Sequence, residues 1–134
     1  MRGTLVDSNV IFDILSDDEE WIDWSASMLA DAANRGPLYI NPIIFAEVSV
    51  RYDRVEDVEA ALPEDYFVRA PLPWEAGFLA AKCFASYRKR GGTKRSPLPD
   101  FYIGAHAAVA GLTLLTRDPK RYATYLPGLS LVCP

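Results

Sequence analysis

The sequence predicts an α/β fold in which a short, mostly parallel sheet is covered by helices on both faces. Short apolar segments alternate with longer helical segments along the chain, and the apolar segments are almost continuously hydrophobic. Strands of that kind are buried on both faces, which is typical of parallel sheets with helical crossovers. The length of 134 residues, without an internal repeat or a linker, predicts a single domain over residues 1–134.

The apolar segments predict five strands, at residues 4–6, 38–40, 66–68, 112–116 and 129–132. Between them, helices are predicted over residues 9–15, 18 or 19 to 34, 42–48, 55–62, 73–88, 99–109 and 118–125. Several helix ends carry explicit signals. Ser8 or Asn9 caps the first helix, Gly36 ends the second, and Asn41 precedes Pro42 at the start of the third. In folds of this order, ligands bind beyond the carboxyl ends of the strands.

Composition and charge exclude several classes of protein. Half of the residues are hydrophobic and 24% are charged, which excludes a disordered chain. No apolar stretch is long enough to span a membrane, and Asp7 interrupts the first one too early for a signal peptide. We therefore expect a cytoplasmic protein without a membrane partner, in which Cys83 and Cys133 are reduced thiols. The net charge of −4 and the pI near 4.9 argue against nucleic-acid binding through bulk charge, but not against a nuclease with clustered basic residues.

Four carboxylates are the candidate site residues. Asp7 follows the first predicted strand and Asp118 follows the fourth, so both lie at the sheet edge where ligands bind. Asp100 lies in the first turn of a helix, and Glu47 lies in the middle of a mostly apolar helix. Taken singly, the aspartates are explained equally well as caps or as charges that suit a helix dipole, and Glu47 as a surface residue.

As a set, the four acids predict more than any one of them. Two carboxylates about 4 Å apart repel each other by roughly 4 kcal/mol at an effective dielectric constant of about 20. A cluster of them must therefore take up protons or bind cations. Hard oxygen ligands suit Mg²⁺ or Mn²⁺, and a pair of such ions can activate water in phosphodiester hydrolysis.

The basic residues that are candidates for phosphate contacts are concentrated in one segment. It contains five cations, interrupted by a Gly-Gly-Thr sequence: Arg88, Lys89, Arg90, Lys94 and Arg95. They are interpreted either as an arm that contacts RNA phosphates or as a solvated loop at a helix C-terminus. Arg117, beside Asp118, is a further candidate for a phosphate contact. The only histidine, His106, is expected to be packed or exposed rather than to act as an acid or base.

Four segments of the sequence resemble PIN domains, and most closely the VapC-type toxins of bacterial toxin–antitoxin pairs. In order along the chain they are Asp7-Ser8-Asn9-Val10 after an apolar strand, Phe45-Ala46-Glu47-Val48, Pro99-Asp100-Phe101-Tyr102 and Leu115-Thr116-Arg117-Asp118. The resemblance covers nearly the whole chain. It implies a three-layer α/β/α fold, Mg²⁺- or Mn²⁺-dependent endoribonuclease activity, a homodimer, and a cognate antitoxin that blocks the site.

The same resemblance implies roles for individual residues. Asp7, Glu47, Asp100 and Asp118 match the acidic quartet that binds the metal and performs catalysis. Asn9 matches a small polar residue near the site, and Thr116 a hydroxyl that helps to position the acids. An apolar stripe on the second helix is expected in the core or, where it is exposed, at a dimer or antitoxin surface: Trp21, Trp24 and Met28.

Three alternatives to a nuclease stay open. A phosphatase with an aspartyl nucleophile after the first strand needs an acid two residues later, where Asn9 stands. A phospho-accepting receiver domain needs an acidic pair near the first strand and a lysine at a late strand end, where the chain has Arg117 and Asp118. A PIN-like module that only binds partners is disfavoured by the intact set of acids.

Overall fold

The computed structural model describes residues 2–134 of the chain. In chain order its elements are β1 (Thr4–Val6), α1 (Ser8–Leu15), α2 (Ile22–Arg35), β2 (Leu38–Ile40), α3 (Pro42–Ser49), α4 (Val55–Ala61), β3 (Phe67–Arg69), α5 (Trp74–Lys89), α6 (Pro99–Ala110), β4 (Thr113–Leu115), α7 (Lys120–Tyr125) and β5 (Leu131–Val132). Among these residues, no helix has the length and apolar character needed to cross a bilayer.

The five strands form one parallel sheet in the order β3-β2-β1-β4-β5, which confirms the predicted parallel α/β architecture. Because parallel crossovers are right-handed, the chain runs outward from β1 to β3 with α1–α4 on one face. It then returns to β4 and β5 with α5–α7 on the other face. Helices within each group pack against one another, as a three-layer α/β/α fold requires. The strand order reverses between β1 and β4, where folds of this class bind their ligands.

The core fixes the carboxyl ends of these two strands. Leu5, Val6, Leu114 and Leu115 are fully buried within a cluster that also includes residues of α1–α4. Burial of each such side chain contributes about 1.5–3 kcal/mol. A second cluster joins α5, α6 and the end of α7: Ala76, Ala80, Cys83, Phe101, Ala105 and Leu126. The packed core therefore holds the ends of β1 and β4 in place, and with them the residues that follow these two strands.

Helix α2 begins at Ile22, three or four residues later than the predicted start at Asp18 or Glu19. The Asp18 side chain accepts hydrogen bonds from the backbone nitrogens of Glu20 (3.0 Å) and Trp21 (2.8 Å), which closes a turn before the helix. Asp17, just before it, has a φ of 56°, a left-handed conformation that no helix continues through. The predicted start at Asp18 or Glu19 was wrong because the Asp18 side chain caps the backbone locally, before the first helical turn.

The end of β4 also differs from the prediction. The strand stops at Leu115, and α7 begins at Lys120 rather than at Asp118. Thr116 accepts a hydrogen bond from the Asp118 nitrogen (3.1 Å) through its side-chain oxygen, so the intervening residues form a turn. Asp118 therefore lies in a connection at the carboxyl edge of the sheet and not in a helix.

Candidate active site

Asp7 is the centre of the candidate site. It follows β1 directly and caps α1, with its Oδ1 accepting a hydrogen bond from the Ser8 nitrogen at 2.8 Å. Its Oδ2 accepts hydrogen bonds from the Tyr122 hydroxyl (2.8 Å) and the Thr116 hydroxyl (2.9 Å). The residue is only 3% exposed. A buried carboxylate is thus held by uncharged donors alone, an arrangement that leaves its charge uncompensated.

The two residues expected to support the acids lie around Asp7. The Asn9 side-chain nitrogen is 3.1 Å from the Thr116 hydroxyl and 3.4 Å from Asp7 Oδ2. The Asn9 oxygen accepts a hydrogen bond from the Arg117 backbone nitrogen at 3.0 Å. These bonds join the start of α1 to the end of β4, so they fix the position of the residues after β1 relative to those after β4.

Glu47 lies beside Asp7 on the adjacent helix α3. Its Oε1 accepts a hydrogen bond from the Ser8 hydroxyl at 2.9 Å. Burial raises the pKa of Glu47, the bond from Ser8 lowers it, and the charges of Asp7 and Asp100 raise it further. Burial likewise raises the pKa of Asp7 from 3.8 to about 6, against the hydrogen bond from Tyr122 and with the charge of Asp100. Three of the four predicted acids therefore act on one another electrostatically.

Asp100 and Asp118 form the open side of the site. Asp100 is in the first turn of α6, and its Oδ2 is 3.2 Å from Arg121 Nη1. The exposed Asp118 lines a depression of about 340 Å³ together with Asp100, Lys120 and Arg121. Asp7 is thus the inner carboxylate and Asp118 the outer one, with Asp100 between the buried and the solvated parts.

The donor set fits a hard divalent cation in its chemistry. All four predicted ligands are carboxylates, the oxygen donors that Mg²⁺ and Mn²⁺ prefer. Asp7 has no cation among its partners, and its raised pKa reports the cost of its charge. Within residues 2–134, however, no three acidic, histidine or cysteine side chains are close enough together to enclose a metal ion. The acids surround one region without forming a closed set of ligands.

Tyr122 was not among the residues singled out from the sequence. It is 2% exposed, and its hydroxyl donates to Asp7, whose charge, with burial, raises the pKa of Tyr122 well above the usual value. Its position depends on Gly104 of α6, where an added Cβ would come within 2.9 Å of the Tyr122 ring and 2.5 Å of Leu126. The only feature of the sequence that pointed to Tyr122 as a site residue is its position four residues after Asp118, directly after Lys120 and Arg121.

The basic segment is folded back onto the rim of the site. The Nη1 of Arg88 donates hydrogen bonds to the carbonyl oxygens of both Gly92 (3.2 Å) and Lys94 (3.0 Å). The Tyr87 hydroxyl accepts from the nitrogens of Thr93 (3.2 Å) and Lys94 (3.3 Å). Tyr87 also lines the depression that contains Asp100. The segment therefore has an ordered base next to the acids, while all five of its cations are exposed: Arg88, Lys89, Arg90, Lys94 and Arg95.

Arg117, whose side chain is 31% exposed, pairs with a buried carboxylate instead of lining the depression. Its Nε and Nη2 lie 2.8 Å and 3.0 Å from the two carboxylate oxygens of Asp13, which is 2% exposed. The Ser25 hydroxyl donates to the same carboxylate at 2.6 Å, and the guanidinium lies over the Trp21 ring. This pair ties the end of β4 to α1 and α2. Contact of Arg117 with RNA stays a prediction.

His106 is packed inside the fold, which confirms the structural interpretation. Its Nδ1 lies 3.0 Å from the Asn41 side-chain nitrogen, and Asn41 in turn caps α3. The Asn41 amide nitrogen can only donate, so Nδ1 of His106 accepts this bond, and burial lowers the pKa of His106. The histidine thus braces the start of α3, the helix that carries Glu47.

Comparison with known proteins gives one family. The family model of the PIN domain matches residues 4–125. No protein of established function has a significantly similar sequence. Solved structures match over nearly the full chain, as follows. One of them is a chain of VapBC2 from Rickettsia felis, in a complex with a DNA fragment from its promoter. It matches this chain with a TM-score of 0.73 and 17% identity, over 98% of each chain.

Two further structures share the fold. A chain of VapBC-1 from nontypeable Haemophilus influenzae has a TM-score of 0.73 and 17% identity, over 97% of this chain and 96% of the other. A chain of a toxin–antitoxin complex from Klebsiella pneumoniae has a TM-score of 0.68 and 25% identity, over 97% and 96%. The match of the family model covers most of the sequence and agrees with the observed sheet order. The chain belongs to the PIN domain family.

Proposed function

We propose that this PIN domain is a metal-dependent endoribonuclease and the toxin of a toxin–antitoxin pair. The observation that carries the proposal is the environment of Asp7, a buried carboxylate with only neutral donors beside two other acids, Glu47 and Asp100. Such a site gains stability from a cation, which is the requirement of a nuclease that uses Mg²⁺ or Mn²⁺. The structural similarity to chains of toxin–antitoxin complexes supports the assignment.

Each residue of the site has a distinct task in this proposal. Asp7, Glu47, Asp100 and Asp118 would hold the metal. When bound, the metal supplies Lewis-acid activation of water and charge stabilisation for the phosphodiester. Thr116, Asn9 and Tyr122 hold Asp7 Oδ2 in one orientation, so that little reorganisation is needed when the ligands gather. No covalent intermediate with the protein is required.

The substrate proposed is RNA, bound across the open side of the site. The depression at Asp100 and Asp118 is also lined by Lys120, Arg121 and Tyr87, the last at the base of the basic segment. The exposed cations of residues 88–95 give an acidic protein a local surface for phosphates, since their charges have no carboxylate partner within residues 2–134. The proposed contacts of Arg117 are limited to the donors that Asp13 does not hold.

The proposed protein partner is an antitoxin. An apolar depression of about 450 Å³ lies between α1, α2, α4 and β3, and Leu15 and Tyr66 on its border are 40% and 43% exposed. A groove of this kind accepts an apolar segment of a partner. Trp24 and Met28 of the stripe on α2 are half-buried against the main core, so only part of that stripe is left for a partner.

A binding-only PIN domain is the second candidate. It is favoured by one observation, that the acids in residues 2–134 are not gathered closely enough to enclose a metal ion. A protein of this kind would bind RNA or its partner without cleaving either.

The deciding experiment mixes the purified chain with total cellular RNA in Mg²⁺, in Mn²⁺ and in EDTA. The test variant is Asp100→Asn. The matched control is Asp31→Asn, because Asp31 forms a surface ion pair with Arg35 at 3.2 Å, as Asp100 does with Arg121. Discrete cleavage that needs metal and Asp100, but not Asp31, is expected. Cleavage that survives EDTA or Asp100→Asn contradicts the metal site, and RNA binding without cleavage favours the binding-only candidate.

A further inference from the structure

Two tyrosines share the depression of the candidate active site with its acids. Tyr87, near the end of α5, and Tyr125, the last residue of α7, line it together with Asp100 and Asp118. The centres of the two tyrosine rings lie 6.3 Å apart, and their planes meet at 67°. Both residues are half-buried, so each keeps part of its surface open to solvent. An aromatic wall therefore adjoins the acids that are proposed to hold the metal.

The core holds both rings in place. Phe101, which is 1% exposed, packs edge-on against Tyr125 with 5.3 Å between the ring centres. Phe84 stacks against Tyr87 at 6.2 Å, and aromatic pairs of this kind add to the stability that burial gives. Phe101 directly follows Asp100 in α6, so one helical turn positions an acid and a support of the aromatic wall. Because its rings are already ordered, this wall can bind a planar ligand without the cost of fixing side chains.

The basic segment packs against the same wall. Gly92 lies so close to Tyr87 that an added Cβ would overlap the ring, so a larger residue there would displace one of them. Arg90 places its guanidinium 5.3 Å from the centre of the Tyr125 ring. The segment thus brings cations to the edge of an aromatic surface. Sites for single-stranded nucleic acids combine these two features, with aromatic rings for the bases and cations for the phosphates.

Charge alone gives the depression little attraction for RNA. It contains two carboxylates, Asp100 and Asp118, and two cations, Lys120 and Arg121. Arg121 is paired with Asp100 at 3.2 Å, so one of the two cations is partly neutralised. Stacking of a base on an aromatic ring supplies affinity that does not depend on charge. The two tyrosines therefore provide what the charges inside the depression lack.

On the basis of the nuclease function proposed above, we propose that Tyr87 and Tyr125 form a subsite for one unpaired nucleobase beside the phosphodiester that is cleaved. Bases inside a duplex are covered by their neighbours, so only a loop, a bulge or a single strand presents a base face to a protein ring. The depression of about 340 Å³ has the size of a small-ligand site and not of a groove for a helix. An unpaired nucleotide next to the scissile bond is therefore the feature that this subsite selects.

The first test measures binding of a labelled single-stranded RNA of mixed sequence in EDTA, so its result does not depend on cleavage. A strand of the same length and backbone without bases is the comparison ligand. Tyr125→Leu keeps an apolar side chain but removes the ring, whereas Tyr125→Phe keeps the ring. Tyr102→Leu is the matched control, because Tyr102 packs against the same core cluster as Tyr125 and does not line the depression. Circular dichroism checks that each variant is folded.

The loss of the ring should weaken binding of the RNA only through its bases. We expect Tyr125→Leu to raise the dissociation constant of the RNA by about 5- to 150-fold, the range for one stacked base. Its binding of the strand without bases should equal that of the wild type, and Tyr125→Phe and Tyr102→Leu should bind both ligands as the wild type does. The loss should be the same at every salt concentration, since the contact of a base with a ring releases no counterions.

Several results would overturn the subsite. They are equal binding by Tyr125→Leu and the wild type, an equal loss in Tyr102→Leu, and a loss that disappears at high salt. A wild type that binds no RNA, or that binds the strand without bases equally well, overturns it too. Cleavage in Mg²⁺ separates this result from the nuclease proposal. Base-dependent binding through Tyr125 without any cleavage supports the subsite and contradicts the nuclease, whereas metal-dependent cleavage that Tyr125→Leu leaves unchanged does the opposite.

A second measurement uses the wild type and needs no folded variant. RNA that carries 5-bromouridine is crosslinked to the protein by near-ultraviolet light, and mass spectrometry of the peptides identifies the residues attached to the base. We expect attachment at Tyr87 or Tyr125. Attachment confined to residues outside the depression overturns the proposal, even where Tyr125→Leu does not fold.

Discussion

Helix α1 carries two buried aspartates that differ in their partners. Asp7, at its start, is 3% exposed, and Asp13, in its last turn, is 2% exposed. The Asp13 carboxylate receives two bonds from the Arg117 guanidinium and one from Ser25. The Asp7 carboxylate receives bonds only from uncharged groups. The same residue type, equally buried on one helix, is therefore neutralised in one place and not in the other.

This difference is the basis on which Asp13 is proposed as a structural acid and Asp7 as a functional one. An ion pair between the buried Asp13 carboxylate and the partly exposed Arg117 guanidinium satisfies both charges, and it ties together the segments that supply its members. A buried carboxylate without a cation keeps an unfavourable charge, and the neighbouring acids Glu47 and Asp100 make it more unfavourable. A positively charged ligand that binds beside Asp7 relieves this unfavourable charge, so binding of a cation is favoured there. Burial alone would not have distinguished the two aspartates.

The largest expected effect is on catalysis at Asp7. Asp7→Asn should lower the rate of RNA cleavage by about 1,000-fold or more. A bound metal lowers the activation free energy by several kcal/mol, and each loss of about 1.4 kcal/mol slows the reaction tenfold. Asp13→Asn should leave cleavage within about tenfold of wild type under conditions where it is folded. Initial rates on a defined RNA fragment test this. Equal losses in the two variants would remove the distinction between the aspartates.

A smaller effect, on stability, is expected at the other aspartate. Arg117→Ala leaves Asp13 buried without a cation and should lower the free energy of unfolding by about 3–5 kcal/mol. Arg121→Ala is the matched control, because it breaks the half-exposed pair with Asp100 and should cost about 1 kcal/mol or less. Urea unfolding followed by circular dichroism measures both. A stable Arg117→Ala protein would show that the Asp13 pair is not structural.

The pH dependence of stability should also distinguish Asp7. Its pKa is about 6 in the folded chain and 3.8 ordinarily, so the folded state holds the proton more tightly than the unfolded state. This contribution to stability is fully present below about pH 4 and is lost as the pH rises through 6, about 3 kcal/mol for two pKa units. In EDTA, wild type should therefore lose about that much stability relative to Asp7→Asn between pH 4 and 7. Mg²⁺ should restore it above pH 6, and a difference that does not vary with pH would contradict the raised pKa.

The smallest expected effect is at Tyr122. Tyr122→Phe removes the hydroxyl that lowers the pKa of Asp7, so the acid limb of the pH–rate profile should move to higher pH. Loss of one hydrogen bond corresponds to about 1–2 kcal/mol, or roughly a tenfold loss in metal affinity. Isothermal titration with Mn²⁺ and the pH–rate profile test this. Tyr102→Phe, elsewhere in the chain, is the control, and a profile that does not shift would limit Tyr122 to packing.

The fold was predictable because its signals are local and repeated. Continuous apolar segments mark β1, β2 and β4, and the Asn41-Pro42 pair marks the start of α3. The start of α2 was not predictable from periodicity, because the Asp18 side chain competes with the helix for the backbone nitrogens of residues 20 and 21. Tertiary structure does not override the pattern there; a single short side chain does.

The sequence singled out the candidate acids and two residues that contact Asp7, Asn9 and Thr116, but not Tyr122 or the pair of Arg117 with Asp13. Asp7, Glu47, Asp100 and Asp118 were singled out from the ends of strands and from family motifs, and the structure brings the first three within electrostatic reach. The partners come from distant segments. Tyr122 reaches Asp7 across 115 positions and Arg117 reaches Asp13 across 104, and no local pattern encodes such pairs. The sequence therefore could not show that Asp7 has only uncharged partners whereas Asp13 is paired with a cation.

The place of β4 in the sheet has a consequence for the synthesis of the protein. β1 is the first strand made, but its second neighbour is β4, which follows β3 by more than forty residues. At about 5–20 residues per second, the ribosome needs several seconds to make that segment. Until then Asp7 has neither the Leu115 carbonyl that accepts from its backbone nitrogen nor the Thr116 and Tyr122 hydroxyls. A nascent chain therefore carries the first acid of the proposed nuclease site for most of its synthesis without the groups that hold this acid in place.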